Sequence, residues 1–335
     1  MIRFFFFLTV CIISLFSANA QNGMTVMFWN SENLFDTVDD PDRSDEDFTP
    51  AGDYHWTYKR YLSKLDAVAR VIVAADEESA PAIVGLCEVE NDSVLTDLTE
   101  RSPLRNVGYR YVMTDSPDSR GIDVALLYRR NYFSLIGYES LRVDLKPYGG
   151  SETRDVLHVT GRIESLDTLD IYVCHWPSRR GGVEESEPFR LAAAQKVRSS
   201  VDSIFKVRHK PYVIIMGDLN DGPDDRAVRT GLSALHGSQA QDLPDCELVT
   251  LMDGKPQGSY KYQGVWDSYD QFVVSASLMN GLGCTQLVDA GVFSPEFMLV
   301  EDDAYGGQKP FRTYNGRRYQ NGYSDHLPIV LRLSF

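Results

Sequence analysis

The sequence predicts an α/β protein with β-sheets inside and helices outside, on three observations. Short apolar, β-branched runs ending abruptly in polar residues recur at 24–33, 82–91, 123–129, 169–179, 212–221, 269–275 and 324–333. Runs of this length and composition suit strands covered on both faces, or the core strands of a sandwich. Between them lie segments whose apolar residues recur at helical spacing, and strands alternate with helices over the first two-thirds of the chain. Finally, no internal repeat, low-complexity linker or break in composition marks a boundary, so residues 21–335 are expected to form a single domain.

Residues 1–20 stand apart. Arg3 gives a positive start, Phe4 to Phe16 is an apolar run, and Ser17-Ala18-Asn19-Ala20 ends in a small-residue cleavage pattern. This is the pattern of a secretory leader cut near Ala20, and it predicts export to the periplasm or extracellular space. No later segment approaches the length of a membrane span, so no integral membrane association is expected, and a monomer suffices. The acidic stretch 36–47 lacks the spacing, central glycine and closing glutamate of a calcium loop, and reads as a solvated surface loop. Residues 57–75 place Tyr61, Leu65, Val68 and Ile72 on one helical face; 189–206 repeats the pattern, and 93–102 is a shorter helix with Ser93 as N-cap. Cys87 and Cys174 fall inside apolar runs and read as buried thiols. No Cys-x-x-Cys spacing marks a zinc or redox site.

The net charge is −15 at pH 7, and losing Arg3 with the leader deepens it. Such a chain repels polyanions at long range, so tight non-specific duplex binding would need metal ions or a local basic patch. The run 213–220, Val-Ile-Ile-Met-Gly-Asp-Leu-Asn, poses the functional question: two small polar side chains at the exit of a buried strand. A plain turn would explain one such ending. Here the apolar runs also deliver Asn30 and Glu32, Glu88, His175, Asp270, and Asp325 with His326. Unpaired polar groups at a core edge cost free energy, so their recurrence points to one shared rim, where open α/β folds place their sites. Several carboxylates without clustered cysteines favour a hard cation, Mg²⁺ with Mn²⁺ as substitute and Ca²⁺ as a further candidate. Carboxylates, imidazoles and an amide around a hard cation suit hydrolysis of a phosphoester.

The segments FWNSEN, GLCEVEN, VALLYR, HWPSR, IIMGDLND, SYDQFVVS and YSDHLPI, in that order, resemble the endonuclease/exonuclease/phosphatase superfamily from about residue 24 to residue 335. The resemblance implies a four-layer sandwich, two packed mixed β-sheets flanked by helices. It implies metal-dependent hydrolysis with Glu88 as the principal metal ligand, Glu32 and Asp325 supporting the metal, and Asn30 near metal and phosphate. By the same resemblance, Asp218 orients or deprotonates the attacking water and Asn220 holds the phosphate. His326 stabilises the transition state with Asp270 as its orienting carboxylate, and His175 occupies a catalytic position of the deoxyribonuclease branch.

Outside these motifs, Arg179 and Arg180 in a glycine-bearing loop read either as a phosphate clamp or as solvent-exposed charges. Arg154 and Arg312 are expected in surface salt bridges. Asp123 is a candidate partner for His175, and Trp56 is the tryptophan best placed for substrate. His55, His158, His209 and His236 are assigned to structure or solvent. The expected function is that of an exported endonuclease or phosphodiesterase acting on nucleic acid. A sphingomyelinase-like or inositol phosphatase-like enzyme is the alternative, and an inactive binding protein of the same fold the third reading. The inositol reading is weakened by GDLNDG and YDQF where those enzymes usually carry GDxNxR and CDRI.

Overall fold

The structure, a computed structural model, describes residues 23–76, 78–239, 243–281 and 284–335; the expected leader and Cys11 lie outside them. Two large mixed sheets dominate. In the first, β1 (Gly23–Leu34), β2 (Ile83–Val89), β3 (Tyr109–Met113) and β4 (Asp123–Arg129) lie in the order β1-β2-β4-β3, and Ile329–Ser334 then Gln286–Val292 extend it beyond β1. In the second, β5 (Phe133–Leu141), β6 (Val156–Ile163), β7 (Thr168–His175) and β8 (Tyr212–Asp218) lie side by side, followed by Asp270–Ser275, Leu248–Thr250 and Ala234–His236. Parallel neighbours need a crossover. The helix α1 (Tyr58–Ala74) falls between the parallel strands β1 and β2; α2 (Asp92–Thr96) follows β2, and α3 (Val183–Val207) falls between the parallel strands β7 and β8.

The continuous apolar runs are explained by burial on both faces. In β1, Val26 and Phe28 enter the core between the sheets, while Met27 and Trp29 enter the core under α1. In β8, Ile214 and Met216 face the other sheet, and Val213 and Ile215 face α3. Three apolar cores separate four layers, helix, sheet, sheet, helix, as expected of this fold class.

Some element boundaries differ from the sequence reading. Thr57 caps α1 by accepting a hydrogen bond from the Arg60 N–H, and α2 is capped by Asn91, whose Oδ1 accepts from Val94 at 3.0 Å, rather than by Ser93. The helix α3 starts before Pro188, where Glu184 and Glu185 in its first turn favour the positive end of the helix dipole. The strands β3, β5, β6 and Gln286–Val292 lack long apolar runs, because β3 and Gln286–Val292 are sheet edges and β5 exposes alternate residues.

Strand direction decides which run ends share a rim. The parallel pairs β1/β2 and β7/β8 reach this rim at Asn30, Glu88, His175 and Asp218, at or near their C-terminal ends. Two runs begin with their polar residues instead: Asp270 opens a strand antiparallel to β8 and pairs with Asp218, and His326 precedes Ile329–Ser334, antiparallel to β1. Reversed direction therefore brings these starts to the rim where the others end.

Candidate functional site

The rim is formed by backbone that leaves regular strand geometry. The β1–β2 register shifts between Asn30 and Leu34, and the β2–β4 register shifts between Cys87 and Val89. At these irregularities Glu32, Asn33 and Glu88 take positive φ values of 52°, 53° and 58°, and Asn220 takes 49°. Left-handed backbone at such residues costs free energy and is concentrated at functional sites. Gly217 is required by close approach: a Cβ there would lie 2.4 Å from the Cys174 carbonyl oxygen on β7. Leu219, between Asp218 and Asn220, is fully buried under α3. The two polar residues on either side of it are thereby held at the rim.

Asp218 Oδ2 is the node of the site. Asn30 Nδ2 donates to it at 3.1 Å, stitching one sheet to the other, while His326 Nε2 lies 3.7 Å and His175 Nε2 3.8 Å away. The other oxygen, Oδ1, accepts from the Asn220 N–H at 2.9 Å. His326 is fixed from behind by its Nδ1 contact with Asp270 Oδ2 at 2.7 Å, and Ser259 donates to that same oxygen. Burial would lower the His326 pKa, but the charges of Asp270 and Asp218 reverse this and raise it well above the usual histidine value. Burial raises the Asp218 pKa, with neighbouring Asp270 adding and His326 opposing. The result is a basic carboxylate facing an imidazolium.

His175 has the opposite character. Burial, then Arg154, Arg120 and His326, push its pKa well below normal, so it is neutral. Its Nε2 lies 4.0 Å from Glu88 Oε1 and 3.8 Å from Asp218, whereas Nδ1 has no partner among the described residues. The tautomer with hydrogen on Nε2 aims that hydrogen between the two carboxylates.

Glu88, Asn30, His175, Asp218, Asn220, Asp325, His326, Arg179 and Arg180 all line one cleft of about 710 Å³. Asp270 lies behind His326. Glu32 is set back: Thr313 N–H donates to its Oε2 at 2.6 Å, and Arg312 reaches its Oε1 at 3.3 Å and Asp325 Oδ2 at 2.9 Å. With both oxygens engaged by protein donors, Glu32 braces Arg312 instead of presenting a free ligand to the cleft.

The donors available to a hard cation centre on Glu88. Its Oε2 accepts from the Asn33 N–H at 2.9 Å, while Oε1 makes no hydrogen bond to the described residues, and the side chain lines the cleft. Asp218, Asp270 and His326 also bring ligand atoms within 4.8 Å of one another and could hold a metal. There, however, a cation would have to displace the His326–Asp270 contact and sit beside an imidazolium. Glu88 fits a hard cation better.

Several expectations are corrected. Arg154 is not at the surface: it donates to Asp118 at 3.1 Å and the Trp176 carbonyl at 2.8 Å at the cleft wall. Arg312, with a part-exposed side chain, makes the expected salt bridges, to Glu32 and Asp325. Asp123 does not pair with His175; it accepts hydrogen bonds from Thr114 and Ser116. Trp56 is fully buried and donates to the Phe35 carbonyl at 2.9 Å, closing off any substrate contact. Cys87 and Cys174 are buried and free, as expected, and Cys246 and Cys284 are free and exposed. Arg179 is neither loose nor purely solvent-facing: it donates to the Asn220 carbonyl at 2.7 Å, pairs with Asp221 and Asp225, and lies over Tyr269.

Two functional groups were missed. Arg120 lines the cleft 3.6 Å from Glu88, and its N–H donates to Asp118, the same carboxylate that holds Arg154. Lys64, buried on α1, donates to Thr313 Oγ1 at 2.6 Å and to the Tyr323 carbonyl, beneath Glu32. Its only sequence signal was a lysine on an otherwise apolar helical face.

The chain belongs to the endonuclease/exonuclease/phosphatase family, whose model matches residues 25–334. Among curated proteins none matches by sequence. Solved structures share the fold: the human Nocturnin catalytic domain with bound sulfate matches at TM-score 0.56 and 17% identity, covering 93% of each chain. The Bacteroides thetaiotaomicron mannosyl-6-phosphatase Bt3783 matches at TM-score 0.56 and 16% identity, covering 93% of this chain and all of its own. TDP2 from D. rerio, complexed with single strand DNA product, matches at 0.55 and 14%, covering 93% of this chain and 99% of its own. Family and fold thus define a phosphoester hydrolase.

Proposed function

We propose that the protein is a divalent-metal-dependent phosphodiesterase of nuclease type, exported after cleavage of the leader near Ala20. The observation that carries the chemistry is Asp218 Oδ2, set between Asn30, His175 and His326 at 3.1 to 3.8 Å, with Glu88 across the cleft. A cation such as Mg²⁺ held by Glu88, with Asp325 near, would polarise a phosphoryl oxygen and neutralise its charge. Asp218 would orient a water and accept its proton. The His326 imidazolium, fixed by Asp270, donates to the oxygen that gains charge in the transition state. Neutral His175 offers Nε2–H to the substrate side of the cleft without adding charge. Arg180 and Arg120 line the cleft as local basic groups for a phosphate, while Arg179 and Arg154, paired with Asp221, Asp225 and Asp118, shape its wall.

A small-phosphoester substrate is the second reading, favoured by the cleft itself: about 710 Å³ falls in the range of small-ligand pockets. The test is purified protein with Mg²⁺, Mn²⁺ or chelator, offered plasmid DNA, RNA, sphingomyelin and an aryl phosphodiester. Nucleic-acid cleavage that chelator removes and Asp218→Asn abolishes, with the fold retained by circular dichroism, is the expected result. Hydrolysis surviving in Asp218→Asn removes the assigned base, and cleavage confined to sphingomyelin removes the nuclease reading. Amino-terminal sequencing of the secreted protein tests the leader.

A further inference from the structure

One wall of the cleft is built from rings. Tyr260, Tyr262 and Tyr269 line it alongside Asp218 and His326. Tyr260 lies 4.7 Å from the His326 imidazole at 33°, Tyr269 stacks on Tyr260 at 5.7 Å and 29°, and the Arg179 guanidinium lies 4.7 Å over Tyr269. A continuous pile of flat groups therefore connects the reacting histidine to the arginine clamp. Tyr262 stands at the rim, 59% exposed.

The wall backs His326 through a backbone bridge between Tyr260 and His326, and it is also rigid in its own right. Tyr260–Tyr262 pairs with Val265–Asp267 as a hairpin, and Lys261 anchors it to the Gly306 carbonyl at 2.9 Å, the Gln308 carbonyl at 3.1 Å and buried Asp302 at 2.9 Å. His326 is already fixed by Asp270 through its ring and by Ser324 through its N–H. The Tyr260 hydroxyl makes no hydrogen bond to the described residues; burial, then Asp325, push its pKa up to about 12, so it remains a donor. A site for a bare phosphate would need the arginines but not a tyrosine exposed at the cleft rim beside a second whose hydroxyl is unengaged. Tyrosine faces bind rings by stacking and dispersion.

We propose that Tyr260, Tyr262 and Tyr269 form a specificity ledge for a ring carried on the alcohol side of the scissile phosphate, a sugar or a base. The ledge rests on the hydrolase reading and states which phosphoesters that site prefers. The probes are the methyl phosphodiesters of thymidine 5′-phosphate, which carries base and sugar, of a hexose phosphate, which carries sugar alone, and of glycerol phosphate, which carries no ring. In Tyr262→Ala and in Tyr269→Leu the KM for a ring-bearing probe rises roughly tenfold to a hundredfold, while kcat/KM for the glycerol ester changes by less than about threefold; Tyr262→Phe retains the preference. Loss confined to the thymidine ester assigns the ledge to a base, and loss shared by the hexose ester assigns it to a sugar. Equal losses on all three probes, or none, overturn the ledge while leaving the hydrolase intact. Should wild-type protein hydrolyse none of them with Mg²⁺ or Mn²⁺, the hydrolase reading fails first. The ledge is then read from thermal shifts with thymidine monophosphate against glycerol phosphate, and equal shifts in wild type and Tyr262→Ala overturn it.

Discussion

Two histidine–carboxylate pairs show what separates a structural group from a reactive one. His326 with Asp270 and His158 with Asp170 are equally buried, each histidine 6% exposed and each aspartate 0%. Both histidines have pKa values raised by carboxylates that outweigh burial. Their surroundings differ on one side of the ring. His158 lies between β5 and β7 with both nitrogens engaged, Nδ1 with Glu139 at 3.0 Å and Nε2 with Asp170 at 3.2 Å, and its ring stacks on Tyr172 at 4.4 Å. Asp170 is itself saturated by Thr160 and Arg208. His326 spends only Nδ1 on its carboxylate, leaving Nε2 to face Asp218 and the cleft. Burial and charge are shared by both pairs; an uncommitted ring nitrogen is what makes one of them chemistry.

The largest effect should come from removing that nitrogen's proton. His326→Gln is expected to lower kcat by roughly 10² to 10⁴, whereas His158→Gln leaves kcat within about twofold under the same assay. Comparable losses in both variants would erase the distinction.

Stability should reverse the order of importance. His158→Gln removes a donor from two carboxylates, one of them buried, and should cost about 1–3 kcal/mol in urea unfolding. Arg208 still pairs with Asp170, which limits the cost.

Cation linkage is expected to be smaller and to belong to the cleft alone. Mg²⁺ at ten times its dissociation constant stabilises a single-site protein by about 1.4 kcal/mol. Wild type and His158→Gln should show that thermal shift, and Glu88→Gln should lose it.

The smallest effect is a slope with pH. The His158 pKa is raised in the folded state, so its contribution is fully present below the unfolded value and fades as pH rises through the folded one. Asp170 is lowered, so its contribution is present above the unfolded carboxylate value and is lost only as pH falls through the folded one. The stability gap between wild type and His158→Gln should therefore narrow from pH 6.5 upward, at or above the ordinary histidine pKa. A gap that widens over that range would contradict the assignment.

Much of this site was legible in the chain because strand runs carry their chemistry in adjacent residues. Asn30, Glu88, Asp218 and His326 each sit within a short motif bounded by apolar residues, and all four meet in the cleft. Arg120 and Arg154 were not legible in that way. Arg154 is held by Asp118, 36 residues away, and the Arg120 guanidinium donates to Asn33 and lies near Glu88, so both roles depend on contacts between distant segments. Glu32 shows the limit of a local motif: Arg312 and Thr313, some 280 residues away, occupy its oxygens.

The amino-acid order alone determined the two-sided burial of the strands, the polar groups at their borders and the family, because hydrophobic pattern and motif are local properties. Only the tertiary structure decided which borders face one another, which histidine is neutral and which is cationic, and which carboxylate keeps an oxygen free. Those outcomes depend on strand direction and on charges placed within about 4 Å by distant segments, where desolvation makes each neighbour count for more than it would in water.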